Sequence, residues 1–229
     1  MINFFEVSSF VIPLILAITL HEAAHGFAAN MLGDDTAKRL GRVTLNPLRH
    51  IDRFGTIILP GLLIFTGSPF IIGWAKPVPV LFNRLRHPRS GTLWVSLAGP
   101  GTNLVLAFLS ALALHLESFV TPEQAPWLYM NLYHSININI VLAIFNMIPV
   151  LPLDGGRVLG SLLPPRIAAV YARGERFGLM AVFLLFLAAG FLYNHQIIPF
   201  DLMQTLVYGP ADWLRMVLLH LAGIGNSAQ

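Results

Sequence analysis

Cysteine is absent from the 229-residue chain, and charged residues make up only 11% of it. Without cysteine the chain forms neither a disulfide nor a thiolate metal site, so any zinc must be bound by histidine and carboxylate groups. Soluble domains carry about 25% charged residues, whereas 55% of this chain is hydrophobic and its mean hydropathy is +0.69. The composition therefore indicates a polytopic membrane protein. The basic residues lie in short loops between apolar runs, so they indicate membrane topology and not a nucleic-acid-binding patch.

Apolar segments long enough to cross a bilayer core of about 30 Å recur along the chain. We expect four clear spans and a fifth that is weaker because Asp212 and Arg215 interrupt it: residues 5–31, 92–115, 132–153, 176–194 and, as the weaker one, 202–222. A further apolar stretch, 55–72, is broken by proline and glycine. The fold class that follows is an all-α polytopic membrane protein with about five to six transmembrane helices.

Lysine and arginine are concentrated in three connectors. Of the 14 in the chain, five lie in residues 32–54, four in 73–91 and four in 155–176, while 116–131 has none. By the positive-inside rule the three basic connectors face the cytoplasm and 116–131 faces outward. Segment 55–72 must then return to the side from which it came, as a re-entrant segment or a pair of short helices packed against other helices.

The sequence HEAAH at residues 21–25 places three ionisable groups inside an apolar helix. His21 and His25 are four residues apart, share a helix face and can both reach one metal ion. Glu22 lies about 100° around the helix, where it can act as general base on a metal-bound water without being a ligand. The alternative is a pair of hydrogen-bonded core histidines beside a paired glutamate. A charge at the centre of a bilayer costs roughly 2.5–3.5 kcal/mol, which favours the metal site.

A catalytic zinc site usually has three protein ligands, and Asp154 is the best candidate for the third. It follows a proline-rich helix end, and the glycines after it permit close approach. The alternative for Asp154 is a helix-end carboxylate paired with Arg157. His50 is the competing third ligand, although its position in a loop favours a solvated or turn-stabilising role.

Three motifs in this order resemble the site-2 protease family of intramembrane metalloproteases, and two further ones resemble its compact prokaryotic branch. The first three are HEAAH at 21–25, AGPGTN at 98–103 and NMIPVLPLDGGR at 146–157; the others are NPLRHID at 46–52 and GWAKPVPV at 73–80. The resemblance covers about residues 8–165 and implies that they form the catalytic core. We expect a single integral-membrane protease domain over residues 1–229, with extra C-terminal helices at about 176–222.

The resemblance also implies roles for individual residues. His21, His25 and Asp154 would bind one zinc ion per chain, and Glu22 would be the general base. Asn146 would be catalytic by holding the peptide carbonyl or its oxyanion, and Asn103 would assist.

One of these roles has an alternative, and the resemblance also implies a structural element. Helix capping and packing account for Asn103 as well as catalysis does. Residues 73–80 would form a short membrane-dipping β element that pairs with an unwound substrate, and the alternation of proline and valine favours such an extended backbone.

The function implied is hydrolysis of a peptide bond in or near the transmembrane segment of a membrane-protein substrate. The enzyme would lie in a prokaryotic inner membrane with its active site towards the cytoplasm. The alternatives are a zinc-binding transporter or scaffold that cleaves nothing, and a hydrolase of lipids or small amphiphiles. Transport requires ligands but no general base, so Glu22 favours the protease.

Overall fold

The computed structural model describes residues 4–66 and 76–224, and within these ranges the chain is helical and forms no strand. Nine α-helices are present there: α1 Phe4–Met31, α2 Thr36–Arg39, α3 Leu59–Phe65, α4 Pro88–Ala113, α5 Ala125–Asn146, α6 Asp154–Leu162, α7 Pro165–Ala172, α8 Glu175–Asn194 and α9 Gly209–Leu221. Short π-helical turns, Arg53–Ile58 and Gln204–Tyr208, lead into α3 and α9. A 3₁₀ segment, Leu114–Phe119, extends α4.

Four helical segments are long and apolar enough to span a membrane: Phe4–Met31, Pro88–Phe119, Ala125–Asn146 and Glu175–Asn194. They correspond to the four clear spans expected from the sequence. The fifth expected span, 202–222, is helical from Gln204 to Leu221 but does not qualify by length and composition. Asp212 and Arg215, which interrupt it, pair at 2.9 Å. The described residues thus supply four candidate spans and not five to six.

The third span is displaced relative to its prediction. The sequence indicated 132–153, whereas α5 begins at Ala125 and ends at Asn146. A proline in the first turn of α5 suits a helix start, and Pro149 and Pro152 lack the N–H that a longer helix would need. The displacement matters because it leaves 147–153 as a turn that delivers Asp154.

Two expected elements remain predictions. The re-entrant stretch 55–72 is helical up to Phe65, and its last residues lie outside the described ranges. The β element at 73–80 lies partly outside them too, and residues 76–80 form no strand.

The centre of the fold is a three-helix core in which α1, α4 and α5 pack against one another. The buried face of α1 is built largely from small residues, including Ser9, Ala17, Ala23, Gly26 and Ala29. That of α4 includes Gly91, Ser96, Gly99, Ala107 and Ala111. Small residues let helix backbones approach closely, which is how helices associate in lipid. Large apolar side chains of α8 such as Phe183 and Leu187 remain exposed, as expected of a lipid-facing helix.

Candidate metal centre

Three side chains from two distant parts of the chain converge beneath α4. His21 Nε2 and His25 Nε2 lie 3.1 Å apart, and Asp154 Oδ2 lies 3.2 Å from the first and 3.3 Å from the second. Tetrahedral zinc with bonds of about 2.0–2.1 Å sets its ligand atoms about 3.3 Å apart. The three atoms therefore already have the spacing of zinc ligands, and they form a group that can hold a metal ion.

Hydrogen bonds on the far side of each imidazole orient the ring nitrogens. His21 Nδ1 donates to Asn103 Oδ1 at 2.6 Å, and His25 Nδ1 donates to the carbonyl oxygen of Val95 at 2.7 Å. A neutral imidazole that donates from Nδ1 carries a lone pair on Nε2. Both lone pairs then face each other and the Asp154 carboxylate. Three acceptor atoms at this spacing repel one another unless a cation or a proton lies among them, and two imidazoles with a carboxylate are ligands that suit zinc.

Asp154 is delivered to the histidines as the first residue of α6. A Cβ on Gly155 would lie 2.2 Å from the Met147 carbonyl oxygen, and one on Gly156 would lie 2.4 Å from the Val150 carbonyl carbon, so only glycine lets α6 begin against this turn. Asp154 is buried, and its Oδ2 has no hydrogen-bond partner, which leaves this oxygen available to a cation. Arg157, the alternative partner for Asp154, instead pairs with Glu175 at 2.8 Å.

Gly99 of α4 forms the wall behind the two imidazoles. A Cβ at this position would lie 2.5 Å from His25 Nε2 and 2.6 Å from His21 Cε1, closer than real Cβ contacts. Gly99 belongs to the motif AGPGTN, but the motif alone assigned it no role. Its role is to leave room for the rings.

The side chains of the metal group line a cavity of about 360 Å³, and Glu22 and Asn146 line the same cavity. Glu22 Oε2 accepts a 2.7 Å hydrogen bond from the backbone N–H of Val78, so the segment after residue 75 forms another wall of the cavity. Asn146 Nδ2 donates to the Leu142 carbonyl oxygen at 3.0 Å. An amide nitrogen has two hydrogens, so the second remains for a ligand in the cavity.

The other two candidates from the sequence, Asn103 and His50, are not part of the metal group. Asn103 is fully buried and sits behind His21, with Nδ2 donating to Ala17 O at 3.2 Å and to Asn139 Oδ1 at 2.7 Å. This arrangement positions His21 and does not cap a helix. His50 is buried, not solvated. Its ring contacts the Thr44 carbonyl oxygen at 3.0 Å, and it is not part of the metal group found among the described residues.

Asp34, a residue not predicted from the sequence, lies just after α1 and has no exposed surface. Its Oδ2 accepts from the backbone N–H of Leu81 at 2.6 Å, and its Oδ1 accepts from the hydroxyl and the N–H of Thr36. Burial raises the pKa of Asp34, but these hydrogen bonds outweigh it and hold the pKa below its usual value. Asp34 and Glu22 together fix residues 78–81 along α1. Asp34 and Asp35 are adjacent aspartates after a helix end, and nothing in the sequence showed which of the two is buried.

Comparison with known proteins agrees with this chemistry. The sequence profile of peptidase family M50 matches residues 121–189, which include Asn146 and Asp154. "Putative zinc metalloprotease YwhC" of Bacillus subtilis is 41% identical over 180 residues, covering 77% of this chain and 78% of the relative. "Putative zinc metalloprotease Rip2" of Mycolicibacterium smegmatis is 30% identical over 171 residues, covering 75% of this chain and 63% of the relative.

The Rip2 protein of Mycobacterium tuberculosis H37Rv is 32% identical over 174 residues, covering 76% of this chain and 64% of the relative. The chain thus spans just under two thirds of the length of the Rip2 proteins. No solved structure matches it. The resemblance drawn from the motifs, the zinc cofactor and the metalloprotease class are confirmed by these relatives. The chain belongs to peptidase family M50, the site-2 protease family of zinc metalloproteases.

Proposed function

We propose that the chain cleaves a peptide bond in or near the transmembrane segment of a membrane protein, with zinc bound by His21, His25 and Asp154. The observation that carries the proposal is the convergence of three acceptor atoms within 3.3 Å in a cavity that also contains Glu22 and Asn146. Both histidines belong to α1, one of the four candidate spans. A substrate that reaches them must therefore enter the membrane.

Zinc, when bound, supplies a Lewis acid that polarises the peptide carbonyl and makes water acidic enough to attack at neutral pH. Glu22 accepts the proton of the attacking water and returns it to the leaving amine, as a positioned general base does. It is in reach because it follows His21 directly and borders the same cavity.

Asn146 supplies the hydrogen-bond donor for the oxygen that becomes negatively charged. Its Nδ2 has one hydrogen engaged by Leu142 and a second that can face the cavity. A donor fixed before the reaction stabilises the developing charge without reorganisation. Asn103 acts from behind His21 and touches no substrate.

Residues 76–81 hold the substrate as an extended strand in this proposal. The N–H groups of Lys76, Val78 and Leu81 are bound by His50 O, Glu22 and Asp34, so this backbone is fixed against α1 and the loops that follow it. Pro77, Val78 and Pro79 border the cavity. An unwound substrate beside them would place one peptide bond opposite Glu22.

The site lies towards the cytoplasmic side of a prokaryotic inner membrane in this proposal. The support is the loop charge pattern, with basic residues in the connectors that follow α1 and Asp154 and none in residues 116–131. Water would reach the cavity from that side.

The test uses the zinc-loaded full chain in phosphatidylcholine–phosphatidylglycerol vesicles with a synthetic single-span peptide that carries Gly-Pro at its centre. A second peptide with Ala-Leu at the same place keeps the helix intact. We expect cleavage of the first peptide, much slower cleavage of the second, and a loss of about 10²–10⁴-fold in Glu22→Gln.

The matched control is Glu6→Gln, which changes an exposed glutamate of the same helix and should cleave at the wild-type rate. Hydrolysis of the vesicle phospholipid in place of the peptides would support a lipid hydrolase. Zinc flux into the vesicles without cleavage would support the transporter. Either result overturns the proposal.

A further inference from the structure

Asn139 is an amide buried in a membrane helix without an assigned role. Its side chain is 1% exposed, and α5, on which it lies, is one of the candidate spans. Polar side chains inside a membrane bundle are expensive and are kept where they bind a partner or serve a function. The partner of Asn139 is Asn103, which itself contacts His21.

The hydrogen bonds of Asn139 have only one consistent direction. Its Nδ2 donates to the carbonyl oxygen of Ser135 at 2.9 Å, because a carbonyl can only accept. Its Oδ1 therefore turns the other way and accepts from Asn103 Nδ2 at 2.7 Å. The backbone of α5 thus fixes the orientation of the Asn139 amide.

The orientation of Asn103 follows from that of Asn139. With Asn103 Nδ2 donating to Asn139 and to the Ala17 carbonyl oxygen, Asn103 Oδ1 is left to face His21. It accepts from His21 Nδ1 at 2.6 Å, which requires the proton to be on Nδ1 and the lone pair to be on Nε2. If the Asn103 amide were reversed, its nitrogen would face His21 and its oxygen would face two acceptors.

We propose that Asn139 is a positioning residue for zinc, which acts through Asn103 to keep His21 in the tautomer that presents Nε2 to the metal. This inference rests on the proposed ligand set His21, His25 and Asp154. Groups that orient metal ligands from outside the coordination shell contribute about 10–100-fold to metal affinity. Asn139 adds one more link behind such a group.

The experiment measures the zinc dissociation constant of the detergent-purified full chain by competition with a chelator of known affinity. Asn139→Leu keeps the branched shape of the side chain and removes the acceptor, and we expect zinc binding about tenfold weaker. Asn137→Leu is the matched control on the same helix, because Asn137 is half-buried and its Oδ1 accepts from Arg215 at 2.9 Å and not from Asn103. Its zinc affinity should stay within twofold of wild type.

A double-mutant cycle separates positioning from general destabilisation. In an Asn103→Ala background, Asn139→Leu should weaken zinc binding no further, because Asn139 acts only through Asn103. Additive losses, or a wild-type zinc affinity in Asn139→Leu, would overturn the proposal. If Asn139→Leu does not fold, Asn139→Ala removes the same oxygen with a smaller side chain and is measured in its place.

His21→Ala distinguishes a failure of this inference from a failure of the ligand assignment. Zinc affinity lost in His21→Ala but unchanged in Asn139→Leu refutes the positioning role alone. Zinc affinity unchanged in both refutes the ligand set, and the positioning role with it.

Discussion

Glu22 Oε2 accepts a 2.7 Å hydrogen bond from the backbone N–H of Val78. Pro77 and Pro79 have no N–H, so Val78 supplies the one donor of this tripeptide. The contact restrains one oxygen of Glu22 and leaves Oε1 to accept a proton. It also ties the cavity wall to the helix that carries both histidines.

Replacing Glu22 should separate these two roles. Glu22→Gln and Glu22→Ala should both lose cleavage, since neither side chain accepts a proton. The Gln side chain still offers an oxygen to Val78, whereas Ala does not. Losing a hydrogen bond worth about 1.4 kcal/mol should make exchange of the Val78 amide about tenfold faster in Glu22→Ala than in Glu22→Gln, as measured by hydrogen exchange. Equal exchange in both variants would show that Glu22 does not hold this segment.

Gly99→Ala should abolish tight zinc binding. Its new Cβ would lie 2.5 Å from His25 Nε2, so a ring must move out of its ligand position, and zinc affinity should fall by 10–100-fold or more. Gly101→Ala is the control from the same helix, because a Cβ there meets nothing within 4 Å. It should leave zinc binding unchanged and raise stability by about 0.5–1 kcal/mol. Equal zinc affinity in the two variants would contradict the packing described at Gly99.

Asn146→Ala should slow cleavage without releasing zinc. Removing one preorganised donor from an oxyanion costs about 10²–10³-fold in kcat, whereas Asn146 is outside the metal group. The kcat and the zinc content are measured together, with Asn194→Ala at the exposed end of α8 as the control. A wild-type kcat would show that Asn146 is not catalytic. A loss of zinc would show that Asn146 is a zinc ligand or positions one.

Zinc should stabilise the wild-type protein but not Asp154→Ala. A ligand present at about 100 times its dissociation constant adds about 2.7 kcal/mol to the free energy of unfolding, so the Tm of the chelator-treated protein should rise when zinc is restored. Without Asp154 only two ligands remain, and the shift should disappear. Asp201→Ala, which removes a carboxylate that caps a turn and does not belong to the metal group, should keep the zinc-dependent shift. An equal shift in all three would exclude Asp154 as a ligand.

Acid should remove the stabilisation that Asp34 provides. Hydrogen bonds hold its pKa below the usual value, so its contribution is present above the unfolded-state pKa of about 3.9 and disappears as pH falls through the folded-state pKa. At neutral pH Asp34→Asn should lower the free energy of unfolding by about 1–3 kcal/mol, because an amide oxygen cannot accept all three hydrogen bonds. The Tm gap from wild type should narrow below about pH 4.

The neighbouring aspartate provides the control for this pH series. Asp35 is half-exposed and pairs with Arg39 on the surface, and such pairs contribute about 0–1 kcal/mol. Asp35→Asn should therefore follow the wild-type Tm at every pH. A Tm gap for Asp34→Asn that stays constant into acid would show that ionisation of Asp34 is not the source of its effect.

The sequence was enough to predict that His21 and His25 lie together, because the spacing of the two histidines in HEAAH places them on one face of a helix. Residues four apart share a face in any α-helix, and the absence of cysteine narrowed the third ligand to a few residues. Asp154 could be proposed because prolines and glycines around it indicate a helix end. The choice between Asp154 and His50 depended on tertiary packing, which brings α6 against α4 and leaves His50 in a separate buried turn.

The hydrogen bonds that connect Asn139 through Asn103 to His21 were harder to predict, and so were the limits of α5. Asn139 and Asn103 lie on different helices, and only the packing of α4 against α5 shows that their amides meet. The asparagines of the stretch SININ at 135–139 were a signal, since buried amides in an apolar helix require partners. Helix limits were displaced because hydropathy ignores the missing N–H groups of prolines.

The two histidines lie near the start of the chain, whereas Asp154 belongs to its second half. During synthesis α1 therefore enters the membrane long before α6 exists, and a nascent chain has the HEAAH histidines without their third partner. Under the proposed ligand set, no hydrolytic centre forms until α4, α5 and α6 have been inserted and packed. Under the proposed function, a partly synthesised chain therefore cleaves no membrane protein before its own fold is complete.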